Sequence, residues 1–180
     1  MNPFTIRQAT VHDAPALAQL AARTFADTFG ADNDPEDLAD HLRSNYGITQ
    51  QSAELRDSEV ATLLAYCEQD LAGYAQVRRK GAPNCVRSEC PVEIHRFYLT
   101  QQAKGSGLAA ELMLAVRTAA SELGGQDLWL GVWERNPRAI AFYRKNRFVE
   151  VGSHVFMVGS DAQRDLVLVS PLSAGAAGAA

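Results

Sequence analysis

The stretch Gln102-Ala103-Lys104-Gly105-Ser106-Gly107 constrains the fold most, because an apolar run ends just before it and a long amphipathic pattern begins just after it. This order predicts a strand that leads through a glycine turn into a helix. Two glycines two residues apart let a backbone approach a ligand closely, and the first amides of a helix lack intrahelical partners. The turn therefore predicts a cradle for a phosphate group, with a tight turn that binds nothing as the alternative.

The periodicities on both sides of the turn predict a strand, a helix and a second strand. Residues 92–99 form the predicted strand before the turn, and residues 128–133 form the strand after the helix. The helix between them carries its apolar residues on one face: Leu108, Leu112, Val116, Ala119 and Leu123. We therefore expect a right-handed βαβ crossover with parallel strands. The glycine spacing matches neither a nucleotide P-loop nor a dinucleotide fingerprint.

Capping and turn signals divide the rest of the chain into further elements. Thr10-Val11-His12-Asp13 is typical of a capping box, and Asp34 precedes Pro35 as the cap of another helix. Further predicted strands cover residues 4–7, 60–66, 71–77, 148–158 and 164–169, with short helices near 47–57 and 137–145. The strands at 60–66 and 71–77 should pair as a hairpin. Together these elements predict a mixed α/β fold.

Size and composition predict a single domain. The chain has 180 residues, of which 47% are hydrophobic and 21% charged, so it can bury one core and is not extensively disordered. We expect this domain to span residues 1–172. Residues 173–180 are all Ser, Ala or Gly and should form a flexible tail.

Charge and hydropathy argue against two classes of partner. The net charge of −4 and the pI near 5.5 do not suit a nucleic-acid binder, which usually has a basic face. No long apolar stretch or basic leader occurs, so we expect no membrane partner and a cytoplasmic location.

Three cysteines, Cys67, Cys85 and Cys90, form an odd set, which predicts reduced thiols. The spacing of Cys85, Cys90 and His95 is too loose for a zinc hook. Loop cysteines without a metal are therefore the expectation.

An acidic run lies between residues 27 and 40, and no Lys or Arg offsets it. Its members are Asp27, Asp32, Asp34, Glu36, Asp37 and Asp40. These acids could serve as helix caps and a solvated surface, or they could form a negative lip that attracts a cationic substrate.

The glycine turn and Asn136-Pro137-Arg138-Ala139-Ile140-Ala141-Phe142-Tyr143-Arg144-Lys145 together resemble two motifs of the GNAT superfamily of acetyl-CoA-dependent N-acetyltransferases. The first is similar to Gln/Arg-x-x-Gly-x-Gly/Ala and the second to Asn-x-x-Ala-x-x-Phe-Tyr. The order of predicted elements over residues 4–170 is also similar. The resemblance implies a twisted central sheet, splayed at its middle and flanked by helices, that admits acetyl-CoA without a metal.

The resemblance also implies which residues hold the cofactor. The CoA pyrophosphate would be bound by successive backbone amides: Lys104, Gly105, Ser106, Gly107 and Leu108. The pantetheine arm would pair with the exposed backbone of the preceding strand: Phe97, Tyr98 and Leu99. The other implied cofactor-binding residues are Gln102, which would help shape the turn, and Asn136, Ala139 and Lys145 of the second motif.

Two residues are implied to act in catalysis. Tyr143 would lie near the sulfur as general acid, because a departing thiolate needs a proton. Its alternative is a core aromatic packed with Phe142 and Phe148. The acceptor ammonium must lose a proton, and Glu93 would take it through water, with His95 or a water chain as alternatives.

Shorter stretches at residues 24–29, 33–36, 129–134 and 152–154 look like the bacterial Pai-type polyamine acetyltransferases. They imply spermidine or spermine as the small-molecule amine acceptor. Proteins, peptides and other small amines remain open as acceptors, and a CoA-sensing module without catalysis is the alternative from another functional class. A homodimer is expected from the family.

One position departs from the family pattern. The family usually has Gly immediately before the Phe that closes the second motif, whereas Arg147 precedes Phe148 here. A left-handed residue other than glycine costs about 1 kcal/mol or more. Because Asn146 tolerates that conformation better, we expect the helix cap to shift by one residue.

Overall fold

The computed structural model describes residues 3–31, 33–158 and 161–172. The strands are β1 (Phe4–Gln8), β2 (Val60–Cys67), β3 (Asp70–Arg78), β4 (Pro91–Leu99), β5 (Asp127–Trp133), β6 (Val149–Val158) and β7 (Asp161–Pro171). The helices are α1 (Ala14–Phe29), α2 (Pro35–Asn45), α3 (Ile48–Glu54), α4 (Leu108–Glu122) and α5 (Pro137–Lys145). Asp32 and the predicted tail at 173–180 lie outside the described residues.

The strands form one mixed sheet in the order β1-β2-β3-β4-β5-β7-β6. Strands β4 and β5 run parallel and are joined by α4, whereas the other neighbouring pairs are antiparallel. The predicted βαβ unit and the predicted hairpin of β2 and β3 are therefore confirmed. β7 is longer than the sequence pattern indicated, because its backbone pairs with β5 on one side and with β6 on the other.

The sheet opens between β4 and β5. Their pairing ends where Glu93 lies opposite Trp129, although both strands are described in full and continue to Leu99 and Trp133. On its other side β4 stays paired with β3 as far as Leu99 opposite Gly73. The edge of β4 that faces β5 therefore offers free backbone groups to a ligand over residues 94–99.

Helices cover both faces of the sheet, and β5 places side chains on both faces. We call the face covered by α4 the α4 face and the opposite face the α1 face. On the α4 face, β5 contributes three side chains to the main core: Leu128, Leu130 and Val132. Successive side chains of a strand point to opposite faces. The α1 face therefore carries Trp129, Gly131 and Trp133, and the ring of Trp133 lies 5.9 Å from that of Phe29 in α1.

The predicted capping signals begin two helices. Asp34 Oδ1 accepts hydrogen bonds from Glu36 N at 2.8 Å and Asp37 N at 3.4 Å, and Pro35 is the first residue of α2. The Asp13 carboxylate accepts a hydrogen bond from Thr10 N at 2.8 Å just before α1. The predicted cap of α2 is confirmed, and the predicted capping box is present but begins a 3₁₀ turn, Val11–Asp13, that leads directly into α1.

The end of α5 differs from the expectation. Arg147 itself is left-handed, with φ 67°, whereas Asn146 has φ −89°, so the expected shift of the cap to Asn146 is wrong. Phe148 N donates to Tyr143 O at 3.1 Å, and Arg147 N donates to Arg144 O at 3.0 Å. This Schellman pair requires its left-handed residue at position 147 and offsets a conformational cost of about 1–2 kcal/mol.

Candidate active site

The glycine turn connects β4 to α4, as the sequence predicted. Gly105 and Gly107 have φ values of +89° and +100°, which glycine adopts without the strain that a Cβ would add. Gly107 is the N-cap and Leu108 is the first residue of α4. The amides that begin α4 therefore lie at the positive end of its dipole, where an anion is favoured.

A groove of about 530 Å³ runs from this turn to α5 beside the open edge of β4. It brings together most of the predicted site residues: Phe97, Tyr98, Leu99, Lys104, Gly105, Gly107, Asn136, Ala139, Tyr143 and Lys145. The two sequence motifs thus meet in space. A cleft with backbone amides at one end and aromatic side chains at the other suits a long ligand with a phosphate and an apolar arm.

The other predicted cofactor residues are Gln102, Ser106 and Leu108. Gln102 is exposed in a 3₁₀ turn, Gln101–Ala103, that precedes the glycines, and it is not among the described residues that line the groove. Ser106 Oγ donates to Ala103 O at 2.8 Å, and the Leu108 side chain is fully buried in the main core. The backbone amides of both residues also donate within the turn, Ser106 N to Ala103 O at 3.3 Å and Leu108 N to Ser106 Oγ at 3.3 Å, so the structure does not leave these two amides free for the predicted pyrophosphate contact.

Asn136 immediately precedes α5 and lines the groove. Its Oδ1 accepts a hydrogen bond from Ala139 N at 3.1 Å, which makes Asn136 the N-cap. The side-chain amide group of Asn136 remains for a ligand. One residue therefore both starts the helix and borders the groove.

Tyr143 lines the groove and is 8% exposed. Its ring lies 6.3 Å from Phe97, 5.4 Å from Phe142 and 5.6 Å from Phe148, measured between centroids. Burial raises the pKa of its phenol well above 10, so the hydroxyl keeps its proton at neutral pH. The two interpretations of Tyr143 thus coexist, since the ring packs among aromatics at the wall of the groove.

Glu93 lies on the α1 face and is 9% exposed, and it is not among the described residues that line the groove. It forms an ion pair with Arg78, which lies opposite it on β3, and its Oε1 is 3.6 Å from His95 Nδ1. Burial acts to raise the pKa of Glu93, but the contacts with His95 and Arg78 outweigh it and lower that pKa. Burial lowers the pKa of His95, so Arg78 is the charged partner at neutral pH.

Cationic side chains border the groove near the glycine turn. Lys104, Arg138 and Lys145 all line it. Burial and then the charge of Arg138 lower the pKa of Lys104, while Asp27 acts in the opposite direction. Arg138 was not among the predicted site residues, although its place at the second position of α5, inside the second motif, could have indicated it.

The acidic run is partly used by the fold. Asp34 caps α2, and Asp40 forms an exposed ion pair with Arg43. Asp27 is close enough to Lys104 to affect its pKa. Helix capping and surface pairing therefore account for part of the run, and Asp32 lies outside the described residues.

The cysteines are free thiols, and within the described ranges no three His, Cys, Asp or Glu residues are arranged to hold a metal. Those ranges also contain no helix that is long and apolar enough to cross a bilayer. A larger groove of about 640 Å³ lies between the β1–β2 edge and α4. It lies away from the glycine turn and contains no residue of either motif, so the smaller groove is the candidate active site.

Comparison with known proteins agrees with this geometry. The model of the acetyltransferase (GNAT) family matches residues 16–148. An uncharacterised N-acetyltransferase of Lactobacillus delbrueckii subsp. lactis is 31% identical over 172 residues, covering 96% of this chain and 99% of that protein. Another from Mycobacterium bovis is 33% identical over 160 residues, covering 89% and 98%.

Solved structures share the fold. The PaiA N-acetyltransferase of Thermoplasma acidophilum, in complex with coenzyme A, superposes with a TM-score of 0.71 at 20% identity over 93% of this chain and 98% of that one. The yncA protein of Salmonella typhimurium, with its cofactor acetyl-CoA, gives a TM-score of 0.64 at 18% identity over 99% of each chain. The splayed α/β sheet is confirmed by this likeness. The family match and the full-length relatives show that the chain belongs to the GNAT family and is an N-acetyltransferase.

Proposed function

We propose that the groove binds acetyl-CoA, with the pyrophosphate at the glycine turn and the thioester beside Tyr143. The observation that carries this proposal is the convergence of Gly105, Gly107, Asn136 and Tyr143 on one groove at the open edge of β4. The amides at the start of α4 favour the phosphates, and Lys104 adds positive charge. The free edge of β4 offers backbone partners to the pantetheine amides. Acetyl-CoA supplies the acetyl thioester that the acceptor attacks.

Tyr143 is the proposed general acid. Its phenol keeps its proton at neutral pH, because burial raises its pKa. When the neutral amine nitrogen bonds to the carbonyl carbon, the carbon–sulfur bond breaks and the phenol gives its proton to the leaving thiolate. The nitrogen then loses its extra proton as the amide forms, and that proton restores the phenol. The aromatic cluster around Tyr143 fixes the ring, so the hydroxyl is already oriented before the amine arrives.

Glu93 remains the proposed base, acting through water on the acceptor ammonium. Its lowered pKa keeps it ionised and therefore able to accept a proton, but it weakens the driving force for the transfer. His95, whose imidazole is neutral because burial lowers its pKa, is the alternative base on the same strand.

The proposed acceptor is a linear polyamine such as spermidine or spermine. The stretches that look like the Pai-type acetyltransferases support this class, as does the acidic run along α1 and α2. Several carboxylates along a path suit several ammonium groups along a flexible chain. Peptide amines and other small amines would be the acceptors if polyamines fail.

Binding of the cofactor can be tested by thermal unfolding with CoA. CoA should raise the melting temperature of the parent, since a ligand that binds only the folded state stabilises it. Gly107→Glu should abolish the rise, because a carboxylate would enter the phosphate site. Gly81→Glu is the control, because a Cβ placed there meets no atom of the described residues within 4 Å apart from its own chain neighbours. An equal rise in the parent and in Gly107→Glu would contradict the assigned site.

Catalysis can be tested by thiol release from acetyl-CoA with a panel of amines. Tyr143→Phe should lower kcat by about 100-fold, the size expected when a general acid is lost, with little change in the CoA-induced melting shift. Tyr66→Phe is a control at another hydroxyl, which accepts a hydrogen bond from Arg7. Unchanged kcat in Tyr143→Phe would leave Tyr143 as a packing residue. CoA binding without thiol release from any amine would favour a sensor.

A further inference from the structure

The α1 face of the sheet carries a buried carboxylate that the cofactor groove does not use. Asp165 of β7 is 8% exposed, and its Oδ1 has no hydrogen-bond partner among the described residues. Its Oδ2 lies 3.9 Å from Nε2 of His154 on β6, beyond hydrogen-bond distance. A buried carboxylate oxygen without a partner is costly, so such a group indicates a ligand or a function.

The backbone of β5 leaves space for this pair of side chains. A Cβ on Gly131 would lie 2.7 Å from His154 Nε2 and 3.1 Å from Asp165 Oδ2, so the imidazole and the carboxylate meet directly over that glycine. Gly131 follows closely after the last β4–β5 pair, Glu93 with Trp129. The Asp165–His154 pair therefore stands beside the opening of the sheet.

Two tryptophans flank Gly131 on the same face of β5. Trp133 lies opposite Asp165 in the register of β5 and β7. Trp129 meets His154 edge to face, with 6.4 Å between ring centroids. Indole faces attract cations, and a carboxylate accepts hydrogen bonds from them. A carboxylate beside an imidazole, with one indole opposite the carboxylate and a second indole against the imidazole, is chemistry that can recognise an ammonium group.

We propose that Asp165 and His154 form the acceptor subsite, in which Oδ1 of Asp165 accepts a hydrogen bond from the primary ammonium of a linear polyamine. This inference rests on the proposed function. The main core and Tyr143 lie on the α4 face, whereas Asp165 lies on the α1 face. Donor and acceptor therefore reach the opening of the sheet from opposite faces. His154, whose side chain is 31% exposed, links the carboxylate to solvent, and a change of its rotamer admits the amine.

The electrostatics of Asp165 agree with this assignment. Burial raises its pKa to about 6, because the loss of water disfavours the charged carboxylate. A bound ammonium would supply a compensating positive charge. The amine would therefore restore to Asp165 the partner that the fold leaves out.

The test is the steady-state rate of thiol release with spermidine varied at saturating acetyl-CoA. Asp165→Asn keeps the shape of the side chain but removes its charge. Its KM for spermidine should rise about tenfold or more, as expected for losing a charge-assisted hydrogen bond, while kcat and the KM for acetyl-CoA change little. Equilibrium dialysis of spermidine against the CoA-bound protein should show the same loss without turnover. Gly131→Ala should also weaken spermidine binding, because its methyl group displaces both side chains.

Glu150→Gln is the matched control, because it removes one negative charge from an exposed position of β6. An unchanged spermidine KM in Asp165→Asn, or an equal change in Glu150→Gln, would overturn the subsite. If the parent is stabilised by CoA but releases no thiol with spermidine, the subsite proposal fails while the cofactor site stands. If CoA does not stabilise the parent at all, the failure lies in the proposed function itself.

Discussion

Two carboxylates flank β5 on the α1 face of the sheet, and their surroundings are opposite in kind. Glu93 lies on β4 opposite Trp129, and Asp165 lies on β7 opposite Trp133. Their exposed fractions are 9% and 8%, so burial alone does not distinguish them. Any difference in their chemistry must come from their partners.

Glu93 has partners and Asp165 has almost none. Arg78 forms an ion pair with Glu93, and the pKa of Glu93 is lowered despite its burial. Among the described residues, the ionisable neighbour of Asp165 is His154, at 3.9 Å, and burial raises the pKa of Asp165 to about 6. Equal burial thus gives pKa shifts of opposite sign.

This difference separates a carboxylate that is satisfied within the fold from one that the fold leaves unsatisfied. In a buried ion pair each charge offsets the desolvation of the other. Removing one partner leaves the remaining charge buried and uncompensated, which is strongly destabilising. A buried carboxylate without a partner lowers stability in the free protein and gains from a cationic ligand. The unsatisfied group is therefore the stronger candidate for recognising an amine.

Removing Arg78, the charged partner of Glu93, should make the environment of Glu93 resemble that of Asp165. Arg78→Met leaves the buried Glu93 carboxylate with the neutral imidazole of His95 at 3.6 Å, much as Asp165 has His154, and should lower the free energy of unfolding by about 3 kcal/mol at pH 7. With the folded pKa of Glu93 raised above its unfolded value, stability is retained at low pH and lost as the pH rises. Urea unfolding at pH 7 and pH 5 should therefore show the larger loss at pH 7.

The control for this prediction is the next residue of the chain. Arg79→Met breaks an exposed pair with Glu59 at 3.7 Å, where the side chains are 46% and 52% exposed. Exposed pairs contribute roughly 0–1 kcal/mol, so this loss should be much smaller. Equal losses in the two variants would mean that the buried pair has no special role.

Neutralising Asp165 should raise the free energy of unfolding, whereas Arg78→Met should lower it. Its pKa is about 6 in the folded protein against 3.8 for the ordinary group, so the parent loses stability as the pH rises from about 4 to about 6. A difference of about 2 pKa units corresponds to about 3 kcal/mol. Because Asn still carries an unpaired amide, Asp165→Asn should gain about 2 kcal/mol at pH 7 and almost nothing at pH 4. Parallel pH–stability curves for parent and variant would contradict this prediction.

The sequence predicted those parts of the molecule that local signals determine. Asp34 caps α2 because the cap, Pro35 and the first-turn acids are adjacent in the chain. Gly105 and Gly107 take positive φ values because the turn needs them. The convergence of Asn136 and Tyr143 on the glycine turn followed from the family resemblance.

Side-chain contacts between residues far apart in the chain could not be predicted from the sequence in the same way. Arg78 meets Glu93 only through the register of β3 and β4, which includes a bulge between Gln76 and Val77. Asp165 reaches His154 through pairing of β6 and β7 over Gly131. The sequence offered one signal for Asp165, an acid within a predicted apolar strand, and no pattern indicated what would surround it. The prediction that the cap shifts to Asn146 was wrong for a local reason, because the Schellman hydrogen bonds outweigh the conformational cost of a left-handed Arg147.

The smallest predicted effect comes from a carboxylate on the surface of the same sheet. Glu150 of β6 faces Arg144 at 3.7 Å, with the two side chains 43% and 62% exposed. Water solvates both charges, so pairing them gains little and burial costs nothing. Glu150→Gln should therefore change the free energy of unfolding by less than about 0.5 kcal/mol.

Comparing Glu150→Gln with Asp165→Asn isolates the effect of the environment of each carboxylate. Glu150→Gln and Asp165→Asn both replace a carboxylate with its amide and remove one negative charge, so a general effect of net charge would appear in both. Urea unfolding of the two variants at pH 4, 5, 6 and 7 should give a curve parallel to the parent for Glu150→Gln and a diverging curve for Asp165→Asn. If Glu150→Gln diverged from the parent by as much as Asp165→Asn, the pH dependence would belong to the overall charge of the protein, and the distinction between satisfied and unsatisfied carboxylates would lose its support.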